Sequence, residues 1–144
     1  MDKIDDLNLL HLFHQCSHHL YANRRSHGQE RLLILLLENG TLTQRELIKI
    51  THRRSATLSE QLEAMDKAGY ITRTRNEQDR RNIDVFLTSR GEAAAKDAQN
   101  NRIKRAHTLF SVLDTEDKKQ LFYLLHKLLF SWENLLSESE ESQK

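Results

Sequence analysis

Three groups of side chains in this sequence could do chemistry. The first is Asp79-Arg80-Arg81, within NEQDRRNIDVFLTSRG (76–91), where two arginines stand at a turn just before a strand-like run. A guanidinium group stays charged and offers a planar fork of donors that suits phosphate oxygens. The second is Cys16, the only cysteine, which therefore has no intrachain disulfide partner. A thiol of lowered pKa with access to oxidant can be oxidised. Cys16 falls on an apolar helical stripe, however, where an inert buried thiol is common. The third is the stripe His11, His14 and His18, in which the i, i+4 pair His14–His18 suits a transition metal or haem iron. His107 and His126 could join it from other helices, and a solvated histidine surface is the competing reading. The stripe faces away from Cys16, so a joint Cys/His site is not expected.

These groups need elements to position them. With no proline and four glycines, long helices are expected. A first helix spans 5–24, with Leu9, Phe13, Cys16 and Leu20 on one side. Arg24-Arg25-Ser26-His27-Gly28 reads as a break, and the run LLILLL within Gln29–Asn39 as a buried helix closed by Gly40. Thr43-Gln44-Arg45-Glu46 fits a capping box that opens a short helix to about Ile50. After a turn at 51–54, a helix from Ser55 to Lys67 buries Leu58, Leu62 and Met65. Tyr70–Arg75 and the alternating run around Ile83, Val85 and Leu87 make a hairpin with a polar tip. Two long helices follow, from Ser89 to about Leu113 and from the acidic start at Asp114 onward. The end, 137–144, is expected to be a disordered tail.

Two helices joined by a tight turn and followed by a hairpin make a winged helix-turn-helix. The expected fold is mainly α with a small two-stranded β wing and terminal dimerisation helices. Residues 1–144 form a single domain, with a DNA-binding lobe at 28–90 and a helical lobe from 1–27 plus 91–136. The second helix of the pair can enter the major groove, presenting Ser55, Ala56, Thr57, Ser59 and Glu60. Charge agrees with a polyanion partner. Residues 24–105 hold 17 Lys/Arg against 11 Asp/Glu, and the remainder 5 against 10.

The run from Gly28 to Gly91 resembles the MarR family of bacterial transcriptional regulators. Its sharpest element is DRRNIDVFLTSRG, which matches the family's wing pattern D-x-R-x-x-x-V-x-L-T-x-x-G at Asp79, Arg81, Val85, Leu87, Thr88 and Gly91. The segment LEAMDKAGYITR (62–73) is similar to the family's helix-end and strand-entry pattern. The resemblance implies that Arg81 enters the minor groove, where negative potential is strong, and that Asp79 orients it. Arg80, Arg75 and Arg73 then contact phosphates or brace the wing. Glu60 stands where a basic or neutral residue is commoner; it could accept from a cytosine amine, with Arg53 and Arg54 compensating from the preceding turn.

The last helix is too apolar for one exposed face. Leu121, Leu125, Leu128, Trp132 and Leu135 recur at spacings of 4, 3, 4 and 3, and burying each large side chain is worth roughly 1.5–3 kcal/mol. A homodimer is expected, placing two recognition helices about 34 Å apart on a pseudo-palindromic site of double-stranded DNA. The resemblance implies modulation by a small-molecule, metal or haem effector, or by an oxidant. Cys16, with Tyr21 nearby, is placed like the reactive cysteine of members that sense organic hydroperoxides, and Phe13, Tyr21, Arg24 and Arg25 could line a ligand cleft. No glycine-rich phosphate loop, nucleophile elbow, HExxH or metal-spaced cysteine set is present, so an enzyme is not expected. A helical protein-interaction module is the non-DNA alternative. No run is apolar enough to cross a bilayer and no signal-peptide pattern opens the chain, so a cytoplasmic setting without membrane contact is expected.

Overall fold

The computed structural model describes residues 3–22 and 24–141. Helix α1 (Asp6–Tyr21) starts at Asp5, whose carboxylate accepts from the Asn8 amide at 2.9 Å. Helix α2 (Arg24–Asn39) begins where a break was expected, and Gly28 lies inside it. A lone helical glycine costs about 1 kcal/mol, too little to stop a helix whose later half buries Leu32, Leu33, Ile34 and Leu36. Gly40, at φ 73°, ends α2 and donates to the Leu36 carbonyl, as its position after Asn39 predicts.

Strand β1 (Leu42–Thr43) leads directly into α3 (Gln44–Thr51). The capping box forms: the Glu46 amide donates to Thr43 Oγ1 at 3.1 Å, and the Thr43 amide donates to Glu46 Oε2 at 2.7 Å. His52, at φ 54°, turns the chain toward α4 (Ser55–Lys67). Strands β2 (Ile71–Arg75) and β3 (Ile83–Leu87) form the wing ribbon.

The sheet is three-stranded, in the order β1-β3-β2, rather than the expected two. β1 pairs antiparallel with β3 through Leu42↔Val85 and Thr43↔Asp84, and β2 pairs with β3 from Ile71↔Leu87 to Arg75↔Ile83. A two-residue strand is too short to show alternation, and Thr43 carries a helix-start signature that masks it. The core below the sheet joins Leu32, Leu36, Leu47, Leu58, Leu62, Met65, Ile71, Val85 and Ala95. Six elements therefore converge on one apolar cluster, and the helix-turn-helix is held from inside.

Compactness divides the chain at residue 100, inside helix α5 (Ser89–Phe110), into units 1–100 and 101–144. These units are defined by compactness alone, whereas the lobes expected at 28–90 and at 1–27 plus 91–136 are defined by role. Burial changes along α5. Its first turns bury Gly91, Ala95 and Ala98, while Ile103, Leu109 and Phe110 are exposed. In the second unit, Asp114 opens α6 (Thr115–Glu141), accepting from the Asp117 amide at 2.8 Å. α6 continues through 137–141, where a disordered tail was expected; residues 142–144 lie outside the described residues. Ser137 and Ser139 donate to carbonyls three residues back, which lets polar residues continue the helix. Among the described residues no helix is long and apolar enough to cross a membrane.

Candidate nucleic-acid interface

Helix α4 buries Leu58, Leu62 and Met65 against the core, and this fixes what its other faces present. Ser55, Ala56, Thr57 and Glu60 are exposed along its first turns, as the apolar spacing predicts. Ser59 is half-buried, and its hydroxyl accepts from Gln44 Nε2 of α3 at 2.8 Å. It therefore serves first as a tie between the two helices of the motif. Gln44 Oε1 is buried without a hydrogen-bond partner.

The wing is anchored to the far end of α4. The Gly69 amide donates to the Asp66 carbonyl and the Tyr70 amide to the Met65 carbonyl, with Gly69 at φ 80°. That pattern closes a helix through a left-handed residue. Arg73 of β2 then donates from Nε to Asp66 Oδ2 at 3.0 Å, both side chains being partly exposed. Of the two roles expected for Arg73, phosphate contact or brace, this geometry supplies the brace.

The ribbon's tip is built around Asn76. Its Oδ1 accepts from the amides of Gln78 (2.9 Å) and Asp79 (3.0 Å), and its Nδ2 donates to Asp84 Oδ1 (3.1 Å). The Asn82 amide donates to the Asp79 carbonyl, and the Asn76 amide to the Asn82 carbonyl. Asn76 was absent from the sequence-level candidates, although asparagine's preference for such self-bonded turns was a usable signal. On this platform the Asp79 carboxylate accepts from the Arg81 amide at 3.1 Å and lies 3.5 Å from Arg81 Nε. The Arg81 side chain is 94% exposed. Arg75 Nη1 donates to the Arg80 carbonyl at 3.3 Å, so Arg75 braces the tip while the Arg80 side chain stays exposed.

The remaining motif positions are steric. Thr88 Oγ1 donates to the Gly69 carbonyl at 2.6 Å and accepts from the Gly91 amide at 3.0 Å, joining the end of α4 to the start of α5. A Cβ on Gly91 would stand 1.8 Å from the Tyr70 carbonyl oxygen. Only glycine allows that approach.

Arg54 is exposed beside the start of α4. Arg53 is not: its Nη1 donates to the Gly28 carbonyl at 3.2 Å and to Gln61 Oε1 at 2.5 Å. Burial, and then the like charge of Arg31, lower its pKa from the usual guanidinium value. Gln61 was not singled out in the sequence and Gly28 was read only as part of a break, since no pattern links residues so far apart.

The chain thus presents a β2–β3 wing, tipped by an exposed arginine, beside an exposed face of α4. The MarR family model matches residues 26–83. The chain is 34% identical over 104 residues to the organic hydroperoxide resistance transcriptional regulator of Bacillus subtilis, covering 72% of this chain and 69% of that one. It is 31% identical over 98 residues to the HTH-type transcriptional regulator YwhA of the same organism, covering 67% and 70% respectively.

The chain belongs to the MarR family.

It is thus a DNA-binding transcriptional regulator. Among solved structures, the S. aureus MepR–DNA complex superposes with a TM-score of 0.72 at 26% identity, covering 85% of this chain and 96% of that one. For this MarR-family chain the effector candidates lie on α1. Cys16 is a free, exposed thiol on α1, a helix with no buried residue. It does not occupy the buried apolar position weighed for it above. His11, His14 and His18 are exposed on the same helix, and the Nε2 atoms of His11 and Gln15 lie 3.0 Å apart. Among the described residues no group of three or more His, Cys, Asp or Glu side chains is placed to hold a metal ion. The i, i+4 spacing is present, but no third ligand is brought to it. Phe13 and Tyr21 are exposed on α1, while the side chains of Arg24 and Arg25 lie outside those described.

Proposed function

We propose that this regulator acts as a homodimer that represses by seating α4 of each protomer in successive major grooves of a pseudo-palindromic operator. Ser55, Ala56, Thr57 and Glu60 face base edges, while Arg81 enters the adjoining minor groove. Arg80 and Arg54 meet phosphates. The observation that carries this reading is the exposed, inflexibly mounted tip. Arg81 projects from a ribbon whose far end is tied by Asp66–Arg73 to the helix that would read bases. The minor groove attracts a guanidinium held in that way. A dimer covering its operator excludes polymerase, and the operator's location on the chromosome sets the site of action in the cytoplasm.

The test is selection of duplexes from a random-sequence library with the full chain, followed by binding titrations across salt. A symmetric pair of half-sites about one helical turn apart is expected, with affinity falling steeply as counterions are released. Recovery of no preferred duplex, or affinity indifferent to salt, would sink the reading.

A second reading is favoured by one observation: an exposed Cys16 on α1 in a chain similar to a hydroperoxide-resistance regulator. The Cys16 thiolate would attack the peroxide O–O bond, giving a sulfenic acid and releasing the alcohol after protonation. Organic hydroperoxide should then release the DNA, and Cys16→Ser should abolish that release. Release that persists in Cys16→Ser removes the thiol from the mechanism.

A further inference from the structure

The start of the recognition helix lacks a side-chain cap. Arg54 is its N-cap and makes no side-chain cap hydrogen bond. The turn before it passes through His52 in the left-handed region, a conformation that non-glycine residues adopt rarely. Helices of this length usually gain their N-terminal definition from a capping side chain. Leu58 and the Ser59–Gln44 tie hold the second turn of α4 from one side, and a further contact is needed to fix the start of the helix against α2.

The fastening on the page is Arg53. Lying in the turn between α3 and α4, it uses one nitrogen to reach both the Gly28 carbonyl of α2 and Gln61 Oε1 of α4. Gly28 is the matching half of the device. A Cβ there would stand 2.7 Å from Gln61 Nε2, so the Gln61 amide crosses α2 at a residue without a side chain. A glycine in a helix interior is otherwise a net cost. Its presence at that crossing is an observation independent of the Arg53 hydrogen bonds.

We propose that Gly28, Arg53 and Gln61 form a clasp that sets the pose of the recognition helix against α2. Arg53 is then a positioning residue for base reading, not a phosphate contact. The inference rests on the base-reading role proposed for α4. Side chains that read bases must be held to within about 0.5 Å. Loosening the clasp therefore lowers discrimination between sequences more than it lowers general affinity for DNA.

The experiment uses the full chain with two probes: a duplex that the wild-type chain selects from a random library, and its scrambled counterpart. Affinities for both are measured across salt, beside thermal melting. Arg53→Ala, Gln61→Ala and Gly28→Ala should each reduce the selected-to-scrambled affinity ratio by about tenfold, the scale of losing one aligned base contact. The salt slope on the scrambled duplex should be unchanged. Arg53→Ala combined with Gln61→Ala should lose no more than either alone, as expected of partners in one interaction. Gln61→Glu still presents an oxygen to Arg53 and should retain more discrimination than Gln61→Ala. Gly28→Ala is decisive if the arginine variant folds poorly, because alanine favours the helix: the melting temperature should hold or rise while discrimination falls. The proposal is overturned if Arg53→Ala weakens both duplexes equally with a salt slope shallower by about 0.9, or if Gln61→Ala and Gly28→Ala are silent. A wild-type chain that selects no duplex would instead overturn the base-reading role itself.

Discussion

Arg81 and Gly91 belong to one motif and do opposite work. Arg81 is almost fully exposed, and its contact with Asp79 is a surface pair worth little to folding. Arg81→Ala should leave the melting temperature unchanged, weaken duplex binding and lower the salt slope by about 0.9 if one phosphate-proximal charge is lost. Unchanged affinity would remove the wing tip from the interface. Gly91 contributes nothing to DNA directly. Its missing side chain lets α5 pass against the Tyr70 carbonyl, where a Cβ would stand at 1.8 Å. Gly91→Ala should cost more than about 2 kcal/mol in urea unfolding, because the obstacle is backbone and must shift. The pattern of spacing made both residues visible in the sequence. It did not distinguish a charge that reaches outward from a void that permits packing, since that depends on what faces each position.

Among the elements, α3 and α4 were legible because their signals are local. The capping box needs only Thr43 and Glu46, and it forms as read. Thr43→Ala should cost about 1 kcal/mol, measured by chemical denaturation. A larger loss would show that Thr43 also matters to β1, whose pairing with Asp84 runs through the backbone and should survive the substitution. The third strand was illegible for the same reason that α3 was clear: one residue serves as strand end and helix cap, and the cap has the stronger signature. The start of α2 was misplaced because Gly28 looks like punctuation. What faces it is Gln61, whose Nε2 would stand 2.7 Å from a Cβ at that position, a neighbour from a distant segment.

At the level of the whole molecule, the single chain leaves a large apolar surface in water. On α6, Phe122, Leu135 and Leu136 are more than 60% exposed, and Leu7 on α1 and Ile4 just before it are more so. Exposed apolar side chains repeated along one helix, as on α6, mark an association surface. Sedimentation at micromolar concentration should show a species of twice 17.0 kDa. Leu135→Glu places a charge where the isolated chain already faces solvent. The fold should tolerate it, while the dimer dissociates and DNA affinity falls. A dimer that persists in Leu135→Glu would move the interface away from this part of α6.

Sequence by itself determined the family, the helix pair, the hairpin and the identity of the arginine at its tip, since each follows from neighbours within a few residues: cap, periodicity, turn chemistry. Tertiary structure decided which charged and polar groups are available. It turned Arg53 inward to Gly28 and Gln61, bound Ser59 to Gln44, set Arg73 on Asp66 and left Cys16 in solvent. Availability depends on what distant segments bring to the same place, and a hydrogen bond across 25 positions, such as that from Arg53 to the Gly28 carbonyl, leaves no periodic trace in the chain.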